Sequence, residues 1–79
     1  MQERRLAPSR RVLKAGMIVF GGSGVGCRVR NVSNTGAALD LPMGDAVPDQ
    51  FRLIIEVDAF MRRCRIVWRN MGRIGVTFV

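Results

Sequence analysis

Phe51-Arg52-Leu53-Ile54-Ile55-Glu56-Val57 is the stretch that decides the fold. Phe51, Leu53, Ile55 and Val57 alternate with Arg52, Ile54 and Glu56, and a period of two is the spacing at which side chains share one face of a β-strand. The same period recurs on both sides. Downstream, Asp58-Ala59 begins a tight connection, and the next strand turns Cys64, Ile66 and Trp68 inward and Arg63, Arg65 and Arg69 outward. Asn70-Met71-Gly72 then reverses the chain into a last strand with Ile74, Val76 and Phe78 inward. Upstream, Pro42, Gly44 and Pro48 mark residues 42–50 as the longest loop. Before that loop one strand carries Ala37, Leu39 and Leu41 inward with Ala38 and Asp40 outward, and another sets Val25, Cys27 and Val29 against Arg28 and Arg30. The first strand is the apolar run Val12 to Phe20, and Gly21-Gly22-Ser23-Gly24 is its hairpin turn, because glycine accepts positive φ.

Six consecutive strands with short links predict an all-β protein, a six-stranded antiparallel β-barrel over residues 12–79. Closure removes the free sheet edges that invite aggregation, and each strand contributes one apolar face to a small interior. Residues 1–11 fit no strand by this pattern: they are polar, charged and interrupted by Pro8. They read as a flexible basic arm able to fold over the barrel mouth. At 79 residues the chain is one domain.

Charge narrows the function. Thirteen Lys and Arg stand against six Asp and Glu, for a net charge of +7, and only Lys14 among the cations is a lysine. Arginine makes forked contacts with phosphates and stacks on planar bases, so an anionic partner is expected. No histidine is present, which removes the usual serine–histidine and cysteine–histidine pairs and much of the metal-site repertoire. Asp40, Asp45 and Asp49 read as solvated acids, and the glycines of residues 21–26 lack the lysine and following helix of a phosphate loop. The expectation is a binding protein, not an enzyme, with no metal and no cofactor. Cys27 and Cys64 sit in apolar strand patterns and read as free buried thiols. With no apolar run of membrane-spanning length and no secretory leader, the expected place is the cytoplasm.

Two segments carry the functional reading. The tail Arg4-Arg5-Leu6-Ala7-Pro8-Ser9-Arg10-Arg11 offers forked cations, and the turn Asn31-Val32-Ser33-Asn34-Thr35-Gly36 offers an amide, a hydroxyl and a glycine. Taken singly, the turn reads as a self-capped bend or as a ligand contact. The tail reads as a solubilising or nucleic-acid-binding arm or as a clamp.

Taken together they resemble the PilZ domain, a bacterial receptor module for cyclic di-GMP. That family places an arginine tract before a six-stranded barrel and a D/N-x-S-x-x-G turn after the second strand. Asn31, Ser33 and Gly36 match the turn, and Arg65-Ile66-Val67-Trp68-Arg69 is similar to the family's fifth strand. The resemblance covers nearly the whole chain. It implies that Arg4, Arg5 and Arg10 hold the phosphates and guanine edges of cyclic di-GMP. It also implies that Asn31 and Ser33 meet the ligand from the barrel surface and that Gly36 shapes the turn. Binding would order the arm and signal to a downstream protein partner in motility, biofilm or exopolysaccharide control. The tract departs from the family's Arg-x-x-x-Arg spacing, because Ser9 stands four residues after Arg5. A second reading is therefore a PilZ-like interaction module with weak or no ligand binding. A third, a basic nucleic-acid-binding barrel, ranks last. Single-strand binders need exposed aromatic platforms, and Phe51, Trp68 and Phe78 fall on inward parity.

Overall fold

The computed structural model describes residues 10–42 and 47–79. Its strands are β1 (Arg10–Phe20), β2 (Ser23–Val32), β3 (Gly36–Asp40), β4 (Gln50–Ile55), β5 (Phe60–Asn70) and β6 (Arg73–Phe78), with a single 3-10 turn at Glu56–Asp58. They close into the expected antiparallel barrel, in an order the alternation does not give: β1-β2-β3-β6-β5-β4. β1 starts earlier than the apolar pattern suggests. Arg10 and Arg11 pair with Val32 and Asn31 and so belong to the barrel wall, because a ladder needs backbone groups and not apolar side chains.

Two-residue turns set the register of two hairpins. Phe20 pairs with Ser23 across Gly21 and Gly22, whose φ values are 50° and 79°. Asn70 pairs with Arg73 across Met71 and Gly72, at φ 49° and 83°. Positive φ at both central residues gives the twist that matches the flanking strands. The core gathers one face of every strand: Ile18, Val29, Leu39, Phe51, Leu53, Ile55, Cys64, Ile74 and Val76 are buried. Val47, from the loop before β4, joins them. That loop is tied to β5, since Arg69 Nη2 donates to the Val47 carbonyl at 3.0 Å and to Asp49 Oδ1 at 3.0 Å, and the Ile66 amide donates to the Asp49 carbonyl at 2.8 Å.

Two inward assignments are corrected. Val57 is 80 % exposed, because β4 ends at Ile55 and the 3-10 turn rotates the next residues out of the barrel. Trp68 is 45 % exposed, because the β5–β6 register slips between Ile66 and Trp68. An extra residue in one strand reverses the parity of everything after it. Similar slips lie in β1 between Arg11 and Lys14, with Leu13 at φ 53°, and in β2 between Val29 and Asn31. No helix among the described residues is long and apolar enough to cross a membrane.

Candidate functional site

The β2 irregularity carries Asn31 onto the outer surface. Val29 pairs with the buried Leu39, and after one extra residue Asn31 pairs with Ala38, whose side chain must face the other way. Asn31 is thus a strand residue and not part of the bend. Ala38 pairs with Gly75, and Gly75 pairs with Trp68 after the β5 slip. One outer row therefore reads Asn31, Ala38, Gly75, Trp68 across β2, β3, β6 and β5, a span of about 14 Å at the usual strand spacing. Two small residues separate an amide from an indole. A Cβ on Gly75 would run into the Trp68 indole, so the ring lies down on the glycine. Trp68, Ala38 and Gly75 were missed as site residues in the sequence because no period-two pattern announces a bulge.

Ser33 builds the bend next to this row. Its Oγ accepts from the Thr35 amide at 3.2 Å and the Gly36 amide at 3.3 Å, and the Ser33 amide donates to the Gly36 carbonyl at 2.9 Å. The bend is fastened to β6, where the Phe78 amide and the Thr77 hydroxyl both donate to the Thr35 carbonyl, at 2.8 and 3.2 Å. Gly36 is required by packing: a Cβ there would strike the Val76 carbonyl oxygen on β6. The register brings the backbone of Arg10 beside Val32, next to this bend. Arg4 and Arg5 lie outside the described residues.

One carboxylate on this face serves two arginines. Asp40 accepts from Arg73 Nε at 2.7 Å and from Arg30 Nη1 at 3.2 Å. The Arg73 hydrogen bond, more than it is opposed by burial, holds the Asp40 carboxyl below its ordinary range, with Arg30 adding to the effect. Inside the barrel, Cys27 and Cys64 are free thiols, and burial pushes both up to about 11, Cys27 further raised by the nearby Cys64. Thiols in that state are poor nucleophiles. Among the described residues no group of three or more Cys, Asp or Glu is placed to hold a metal ion.

The described residues form a closed six-stranded barrel with a serine-capped bend after β2. The profile of the PilZ domain matches residues 2–79. The chain belongs to the PilZ family. A search of curated proteins finds no match to it. PilZ domains are binding and adaptor modules, and the platform described above lies where this PilZ chain brings its motif residues to the surface.

Proposed function

We propose that this PilZ domain is a cyclic di-GMP receptor that passes its binding state to a protein partner. The reading is carried by the outer row in which Asn31 and Trp68 flank the small residues Ala38 and Gly75, beside the root of the arginine tract. A planar base needs a flat floor; Ala38 supplies part of one, and the Trp68 indole, lying over Gly75, supplies the rest. The Asn31 amide offers both donor and acceptor to a base edge or phosphate. The exposed indole of Trp68 is an aromatic surface on which a guanine can stack. Ser33 acts chiefly by holding the bend, so its loss weakens the site through geometry. Arg4, Arg5 and Arg10 supply the forked contacts to phosphate and to guanine O6 and N7. Ordering that arm on the ligand is the conformational change that a partner reads.

Ser9 supports the second reading, an interaction module with weak or no nucleotide binding, because it stands where the family's second arginine would lie. Calorimetric titration with cyclic di-GMP separates the two. The receptor reading expects heat from the wild type and a loss of about 1.5–3 kcal/mol, some ten- to hundredfold in affinity, in Arg5→Ala and Asn31→Ala. It also expects tighter binding in Ser9→Arg. A silent wild type with binding restored by Ser9→Arg supports the second reading. Silence in both removes the receptor assignment.

A further inference from the structure

On the side of the barrel away from Asn31, β4 and β5 present a second charged surface that the nucleotide reading does not use. Arg52 and Arg63 are register partners, directly opposite each other across the two strands, and both are exposed. Arg65 follows on the same face of β5, opposite Gln50. Among the described residues, Arg52, Arg63 and Arg65 have no ion-pair partner, whereas Arg30, Arg69, Arg73 and Lys14 each hold a carboxylate. Like charges directly opposite across strands are unfavourable, so the pair is a surface waiting for negative charge.

A cleft adjoins the pair. It has a volume of about 410 Å³ and is lined by Arg52, Arg63, Gln50 and the Gly21-Gly22 turn, with Phe20 and Phe51 at its base. The cleft exists because the β1–β4 ladder is short. It joins Met17–Val19 to Arg52–Ile54 and does not extend to Phe20 and Phe51, which both line the cleft. Among the described residues no carboxylate lines it. A Cβ on Gly21 or Gly22 would meet nothing within 4 Å, so the turn leaves its backbone open to a neighbour.

We propose that this cleft and the Arg52–Arg63 pair are a docking surface for an acidic polypeptide segment of a protein partner, separate from the nucleotide face. Charge complementarity selects the occupant. Arg63 and Arg65, two residues apart on one face of β5, match carboxylates that repeat at the same two-residue period on an extended segment, and Arg52 adds a third guanidinium across the strand. Past the end of the short β1–β4 ladder, the segment can pair with backbone groups of the strand edge. The proposal does not rest on cyclic di-GMP binding, and a domain of the second reading would carry the same surface.

The test uses the full chain and a fluorescein-labelled acidic peptide of about six residues, alternating Glu and Thr, a common strand length. Anisotropy gives the affinity, and amide chemical shifts map the contact. The expected result is shifts at Gly21, Gly22, Gln50, Arg52 and Arg63 and affinity lowered about tenfold in Arg52→Glu, with less than about a twofold change in Arg28→Glu on the far side of the barrel. Arg52→Glu also turns a repulsive pair into an attractive one, so its melting temperature is expected to rise. Weaker binding by a more stable variant cannot come from unfolding. Equal losses in Arg52→Glu and Arg28→Glu, or shifts spread over the surface, overturn the proposal by reducing the effect to net charge. Tighter, steeply salt-dependent binding of a single-stranded oligonucleotide with the same shift map overturns it in favour of nucleic acid.

Discussion

Two arginine pairs on the outer wall of one barrel are handled in opposite ways: Arg30 and Arg73 on β2 and β6, and Arg52 and Arg63 on β4 and β5. On the first, Arg30 and Arg73 share Asp40 and the surface beside them is floored by Ala38 and Gly75. On the second, Arg52 faces Arg63 with no acid between them among the described residues. Neutralised arginines fix local geometry. Unpaired arginines are held at a cost in stability and keep their charge for something outside the chain.

The largest test of that contrast is Gly36→Ala. Its methyl group meets a backbone carbonyl of β6, which cannot swing aside, so the bend that frames the first face must move. We expect a loss of about 3 kcal/mol, read as a lower urea midpoint. Gly75→Ala meets a side chain instead, and the Trp68 indole can lift away. It is expected to destabilise less, by about 1 kcal/mol, and to shift tryptophan emission to longer wavelength as the ring leaves the sheet.

Asp40→Asn removes the acid from the balanced face. Both arginines lose their charged acceptor, and stability is expected to fall by about 1 kcal/mol at neutral pH, the half-exposed setting keeping the figure low. Because the Asp40 carboxyl is held below its ordinary value, its contribution is full above about pH 4 and disappears as the pH falls through the lowered value. Urea midpoints of the wild type and Asp40→Asn are therefore expected to converge at acid pH. A gap that persists unchanged under acid would show that the carboxylate charge is not what joins Arg30 to Arg73.

Arg52→Glu adds an acid to the unbalanced face and should have the opposite sign. A gain of about 0.5 kcal/mol is expected, read as a higher melting temperature that diminishes with added salt. The interior serves as the reference for both faces. Cys27 and Cys64 are raised to about 11, so unfolding releases their protons at lower pH than the folded state does. Stability is expected to be untouched by these thiols below about pH 8.5 and to decline as the pH rises toward 11. Thiol alkylation of the folded protein at neutral pH is expected to be slow.

Alternation in residues 51–57 and its echoes were enough to specify six strands in an antiparallel barrel and most of the buried set, because side-chain parity is a local property of an extended chain, but not the strand order that sets β3 beside β6 and β4 beside β1. The N-x-S-x-x-G bend was legible for the same reason: Ser33 caps amides two and three residues away. Trp68 and Val57 were not placed correctly by that rule, and Asn31, read as part of the turn, lies within β2. A bulge in β2, another in β5 and the early end of β4 are decided by how distant strands slide into register as the barrel closes. The sequence by itself determined that arginines and a capped bend would be near a barrel surface. Only the tertiary structure decided that Asn31 and Trp68 share one outer row, and that Arg52 and Arg63 stand opposed, because both depend on cross-strand register between segments far apart in the chain.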